Sequence, residues 1–240
     1  MAEGYGLEPE PTLPDLPGKV IVRASRDEVI DAVAADLLFQ ALACSRSFGD
    51  FHFAASGGPD PAPLYRRLMY DPQLREFPWT RTHLWLTQES RTSASDPQSR
   101  FASVAGWLME HSGIPSGQVH PIPGAEPDAA RLYEDELQEA LQWREKGHDR
   151  LDYALLTLDC AGTLGGTDDR LVFQSEELVS ITPRLVTACR FVAVFATGSG
   201  ARARIAELLG EDRRGLARRL APIGGELRWY LDRDACPDPA

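Results

Sequence analysis

The chain has little of what marks a nucleic-acid surface, a membrane span or an exported scaffold. Lysine is almost missing, with only Lys19 and Lys146, and acidic residues outnumber basic ones 36 to 25, a net charge of −11. Phosphate backbones are bound by clustered cations, so this balance argues against a nucleic-acid partner. No apolar run approaches the ~20 residues of a spanning helix, and Phe191–Ala196 is among the longest. The opening MAEGYGLEPEPTLPDLPG has neither the basic nor the apolar region of a signal peptide. Cys44, Cys160, Cys189 and Cys236 are too far apart for a zinc pattern or a compact disulfide framework. No two histidines have metal-ligand spacing, and neither a Walker loop nor a G-x-S-x-G elbow is present. These absences predict a cytoplasmic protein with reduced thiols, no metal, no cofactor and no membrane contact.

What is there is ordinary globular material, 43% apolar and 25% charged over 240 residues, enough for one α/β core. Residues 1–18, rich in Pro, Glu and Gly, read as a disordered tail, and 19–236 as the folded domain. Val20–Val22 reads as a strand. Ser25 and Glu28 make an S-x-x-E capping box for a helix that carries Val29, Ile30, Val33 and Leu37 at helical spacing. Further strands are expected at Phe51–Ala55, His83–Leu86, Val119–Ile122, Tyr153–Leu158, Phe191–Thr197 and Glu226–Leu231. Helices are expected near 61–70, 101–111, 129–146 and 201–209, with Gly210 as the last one's C-cap. Alternation of this kind predicts a three-layer, Rossmann-like α/β fold, its mostly parallel sheet covered by helices on both faces.

Ligands of such sheets bind beyond the carboxyl ends of the strands. Four loops leave those ends: Ser56–Asp60, Thr87–Ser95, Asp159–Asp169 and Gly198–Gly200. Ser56-Gly57-Gly58 can turn sharply and bring backbone N–H groups to an anion, or can be a plain tight turn. Gly198-Ser199-Gly200 resembles it, with Arg202 and Arg204 in the following turn as candidate phosphate contacts or as solvated arginines. The acidic, Gly-rich 159–169 loop is expected to be mobile and to repel a phosphate. His52 and His83 fall at strand starts, the wrong end of the sheet. His111, His120 and His148 fall on helix ends or connections. Arg213, Arg214, Arg218 and Arg219 read as a solvated helix face.

Taken in order, these motifs resemble the 6-phosphogluconolactonase family, related to the glucosamine-6-phosphate deaminases, from about Lys19 to Cys236. The family's S-G-G-x-x-P-x-x-L-Y is matched by Ser56, Gly57, Gly58, Pro61, Leu64 and Tyr65. Its D-E-R segment and the D-D-P-D-S-N-Y stretch after it look like Gln88-Glu89-Ser90 and Ser95-Asp96-Pro97-Gln98-Ser99-Arg100-Phe101. Leu151-Asp152-Tyr153 resembles the lead-in to its catalytic loop. Cys189-Arg190-Phe191-Val192 through Thr197-Gly198 resembles its A-R-x-V…T-G segment, and Leu227, Trp229, Leu231 and Asp232 its closing pattern.

The departures fall in the catalytic loop, G-x-G-x-D-G-H in the family. Here the aspartate is Ala161, the histidine is Thr163, and Gly162 remains between them. The resemblance implies that the histidine is a general base toward the lactone carbonyl. A threonine hydroxyl titrates far above neutral pH and cannot do this unaided. The D-E-R arginine is Ser90, the basic position after T-G is Ala201 with Arg202 next, and a further arginine position is Leu178. Two readings follow. One is a 6-phosphogluconolactonase that acts weakly if at all, with Glu89 as candidate replacement base, the phosphate at Ser56, Gly57 and Gly58, and Gly162, Gly198 and Arg202 as further substrate contacts. The other is an inactive sugar-phosphate-binding or scaffold protein.

Overall fold

The computed structural model describes residues 13–142, 144, 149–164, 170–209 and 217–237. A strand at Lys19–Arg23 (β1) leads into a helix over Arg26–Phe48 (α1). Ser25 Oγ accepts the Glu28 N–H at 3.3 Å, while the Glu28 carboxylate accepts the N–H of Ala24, one residue before the capping residue. Val29, Ile30, Val33 and Leu37 are buried, as their spacing requires.

Phe51–Ala55 (β2), Ala62–Tyr70 (α2), Thr82–Leu86 (β3) and Gln88–Ser90 (β4) follow. A helical stretch then runs through Arg100–Val104 (α3), a π turn at Ala105–Met109 and Glu110–Ser112 (α4). Next come Val119–His120 (β5), Ala129–Leu141 (α5), Tyr153–Thr157 (β6), Leu158–Thr163 (α6), Val172–Gln174 (β7) and Leu178–Ile181 (β8). Pro183–Ala188 (α7), Phe191–Ala196 (β9), Ser199–Leu209 (α8) and Glu226–Asp232 (β10) complete the order.

Seven strands form one parallel sheet in the order β1-β10-β9-β6-β2-β3-β5. Every residue of β2 and β6 is buried, which requires cover on both faces of the sheet. From β2 the chain winds through β3 and β5 to one edge. It returns to β6 on the other side of β2 and winds away through β9 and β10. The connections leaving β2 and β6 therefore part in opposite directions and open a crevice between them.

Three features depart from the expectation. β4, β8 and β7 make a small antiparallel sheet that the sequence did not announce, because strands of three or four residues carry no readable alternation. The first half of the expected Gly-rich loop is helical: Leu158–Thr163 forms α6, capped by Thr157 Oγ1, which accepts the Cys160 N–H at 3.3 Å. Residues 165–169, with Gly165 and Gly166, lie outside the described residues, as do 1–12 of the expected tail, His148, Gly210, Arg213 and Arg214. Residues 13–18, read as tail, lie against the domain. Leu16 is buried in the core, the Trp229 indole N–H donates to Pro17 O at 2.8 Å, and Gly18 approaches the Leu227 carbonyl more closely than any Cβ would allow.

The amino end of the sheet is knit by buried charge. Asp152 accepts the His52 N–H and both terminal nitrogens of Arg144, and Arg190 Nε reaches it at 3.3 Å. Two residues of the motifs read above, Asp152 and Arg190, are thus architectural. Among the described residues no helix is long and apolar enough to cross a membrane.

Candidate active site

At the crevice, Ser56 closes β2 and is fully buried. Its hydroxyl donates to Leu155 O at 2.8 Å, accepts the Thr157 N–H at 3.3 Å and lies 3.0 Å from Thr87 Oγ1. The Tyr65 hydroxyl donates to Ser56 O at 2.5 Å. Ser56 and Tyr65 therefore hold the turn to β6 and α2, and the Ser56 hydroxyl is already occupied by these neighbours. Thr87 joins the two sheets: its N–H donates to Ala55 O and its carbonyl accepts from Ile181 N–H.

Gly57 is buried against Arg100. A Cβ there would lie 2.5 Å from Arg100 Cβ and 2.7 Å from Arg100 O. Among the described residues nothing accepts the Gly57 N–H, a buried donor of the kind that calls for a partner. Gly58, at φ 100°, donates instead to Ser103 Oγ at 3.0 Å. Behind the turn the Cys160 thiol donates to Thr87 Oγ1. Burial pushes this thiol above its usual pKa, against the hydrogen bonds of Thr87 and Ser56 and the nearby Arg100 charge. It is protonated and inert at neutral pH.

Across the crevice a cleft of about 270 Å³ is lined by Asp60, Asp159, Thr197, Gly200 and Arg204, among others. Arg204 pairs with Asp159 over it. Arg202, the arginine favoured from sequence, turns the other way and donates from Nε to Asp234 O at 3.0 Å. Gly198 has φ 81°, and its N–H is held by both carboxylate oxygens of Asp232. Gly162 lies exposed on α6, and Thr163 is the last residue of that helix. The structure thus brings Ser56, Gly57 and Gly58 together with Thr87, Cys160 and Arg100, and sets Gly198 and Arg202 into other contacts.

Glu89 is completely buried. Its Oε1 accepts the N–H groups of Ser90 and Arg100, and its Oε2 accepts the Ser99 hydroxyl and the Phe101 N–H, all at 2.8 Å. With four donors on two oxygens, this carboxylate ties β4 to the start of α3. Arg100 was missed from sequence because tertiary contacts bring it beside the Ser56–Gly58 turn: Glu89 accepts its N–H, and Ser103 Oγ donates to its carbonyl while accepting the Gly58 N–H. The Arg100 terminal nitrogens reach the Gln88 amide oxygen, once that amide is oriented to present it, at 2.7 and 3.0 Å.

The histidines lie elsewhere. His52 and His83 pair in register near the amino ends of β2 and β3 with rings stacked 4.4 Å apart at 10°. Together with Asp50 they bring ligand-type atoms within 4.8 Å of one another. A cation sits in the plane of each imidazole that binds it, and two near-parallel stacked planes do not meet at one ion. Trp85 Nε1 donates to His52 Nδ1 at 3.0 Å, so the His52 proton sits on Nε2, facing Asp50 at 3.1 Å. The lone pair a metal would need is absent there. His120 lies under the same stack, against Trp85 and Glu136, and His111 sits exposed beside Tyr70, the last residue of α2.

Residues 24–159 match the family model for glucosamine-6-phosphate isomerases/6-phosphogluconolactonase. The chain belongs to this family. Over 241 residues it is 28% identical to the human GDH/6PGL endoplasmic bifunctional protein, covering 90% of this chain and 30% of that protein. The chain therefore spans less than a third of that relative's length. It is 29% identical to the 6-phosphogluconolactonase of Synechocystis sp., over 78% of this chain and 84% of the relative. The crystal structure of 6-phosphogluconolactonase from Thermotoga maritima superposes with a TM-score of 0.72 at 22% identity, covering 89% of this chain and all of that one, a likeness of fold.

Proposed function

We propose that this chain binds a phosphorylated six-carbon lactone or its acid at the β2–β6 crevice and opens the lactone weakly or not at all. The relatives' names supply the substrate class, 6-phosphogluconolactone, and with it a place in pentose phosphate metabolism. One observation carries the reading of impaired catalysis: among the described residues no imidazole hydrogen-bonds, pairs or stacks with the Ser56–Gly58 turn or with α6. His52 and His83 stack near the amino ends of β2 and β3, His120 at the end of β5 is held between His83 and Glu136, and His111 is exposed on α4. A lactonase needs a group that accepts a proton from water near neutral pH, within hydrogen-bond reach of the lactone carbonyl. The position where the resemblance places that base holds Thr163, on α6.

Glu89 does not fill the gap. A base must keep a lone pair turned toward the water, and all four Glu89 contacts are donors within the fold. We assign it a positioning role for the loop that carries Ser99 and Arg100. Binding rests on other features: the buried Gly57 N–H without a partner among the described residues, and Arg100 beside it. Calorimetric titration with 6-phosphogluconate tests this part. Saturable heat that gluconate does not reproduce supports it, and no heat at millimolar concentration overturns it.

A further inference from the structure

We infer that Arg100 is the specificity-determining cation of the crevice, holding the phosphate of the ligand against the Gly57 N–H. The inference rests on the sugar-phosphate reading and goes beyond it by naming the side that takes the charge. The cleft beside β9 is a poor place for an anion. Among its described lining residues it carries the Asp60 and Asp159 carboxylates against one guanidinium, that of Arg204, which is already paired with Asp159. A dianion entering there meets net negative charge.

The other side of the turn has the opposite balance. Among the described residues no carboxylate pairs with the Arg100 guanidinium, and its partner is the neutral amide oxygen of Gln88. A phosphate accepts the same planar fork in bidentate fashion with a full charge, so it displaces a neutral amide readily. The Arg100 backbone and Cβ press on Gly57, whose buried N–H finds no acceptor among the described residues. Glu89, which accepts the Arg100 backbone N–H, is fully occupied by four donors. Glu89 Oε1 also accepts from Ser90, so positions 90 and 100 are neighbours across one oxygen. A cation moved from 100 to 90 stays in the same neighbourhood.

That adjacency supplies the test. Binding of inorganic phosphate and of 6-phosphogluconate is titrated for the full chain and for Arg100→Lys, Arg100→Ala and the relocation variant Ser90→Arg/Arg100→Ala, with folding checked by circular dichroism. The expected result is a loss of tenfold or more in 6-phosphogluconate affinity for Arg100→Ala, a smaller loss for Arg100→Lys, and recovery in the relocation variant. A purely structural role would not produce that recovery. If 6-phosphogluconate binds equally to the wild type and Arg100→Ala, the sugar-phosphate reading stands and the role of Arg100 is overturned. If phosphate binding depends on Arg100 but 6-phosphogluconate binds no more tightly than phosphate, Arg100 stands and the sugar-phosphate reading falls. If the wild type binds neither at millimolar concentration, both are overturned.

Discussion

The Gly198 N–H lies 2.9 Å from each carboxylate oxygen of Asp232, so the last residue of β10 clamps the turn that follows β9. Asp232 Oδ1 also accepts the Ala235 N–H at 2.9 Å. Asp232→Ala removes a buried acceptor from these amides and is expected to cost about 1–3 kcal/mol of stability. Urea unfolding measures this directly. A midpoint unchanged from wild type would show that the clamp contributes nothing.

Glu89→Gln separates a positioning role from a chemical one. The glutamine keeps the shape but replaces one acceptor oxygen with an amide donor, which then faces backbone N–H or hydroxyl donors. A loss of about 2–4 kcal/mol is expected. The diagnostic is unfolding free energy with turnover measured alongside. A variant as stable as wild type that selectively loses lactone turnover would reinstate Glu89 as the base.

Stability also reports on the histidine stack at the far end of the sheet. Burial, with the charges of His52 and His120 added, lowers the His83 pKa to about 4 from an ordinary 6.5. Burial lowers His52 as well, against its hydrogen bond to Asp50. Between those pH values the unfolded chain binds a proton that the folded chain refuses, so stability is full above about pH 6.5 and falls as the pH drops toward 4. Asp50 does not blur this window. Burial opposes its ionisation, but hydrogen bonds from His52 and Arg144 hold it below the ordinary carboxylate range, so its contribution is lost only at lower pH. Urea midpoints taken from pH 8 to 4.5 should decline, and less steeply in His83→Gln. A flat profile would contradict a buried, neutral His52–His83 pair.

Two of the four glycines expected to contact substrate, Gly57 and Gly162, should respond in opposite ways to alanine. Gly57→Ala places a methyl 2.5 Å from Arg100 Cβ and 2.7 Å from its carbonyl, and should destabilise by about 1–3 kcal/mol while weakening 6-phosphogluconate binding. Gly162→Ala meets nothing within 4 Å and lies within a helix, so it should be neutral or stabilise by up to about 1 kcal/mol. Thermal unfolding of both variants decides. Equal effects would mean that the close Gly57–Arg100 approach is not as described.

The central strands, the α1 capping box and the β2 turn were legible because they follow local rules: apolar runs, an S-x-x-E spacing and adjacent glycines. What stayed hidden depends on distant partners. Gln88 and Glu89 form a buried polar strand only because Val179 and Ser180 pair with them and four donors meet the Glu89 carboxylate. Arg100 joins the crevice through that same carboxylate and through Ser103. The choice between Arg202 and Arg204 depends on where the chain returns after β10, at Asp234, which no spacing in α8 reveals. Helix α6 did carry a local signal, Thr157 three residues before Cys160, which the glycines around it masked.

The most direct test of the central claim is turnover of freshly generated 6-phosphogluconolactone, measured against spontaneous opening for the wild type and Thr163→His. Ala161 is buried, so the family's aspartate is left out of the variant. A wild-type rate close to the spontaneous one is expected, with a rise of about tenfold or more in Thr163→His, part of the roughly 10²–10⁴-fold that a positioned base contributes. A clear wild-type rate that the histidine does not improve would contradict this expectation, and would mean that another group on this chain activates the water.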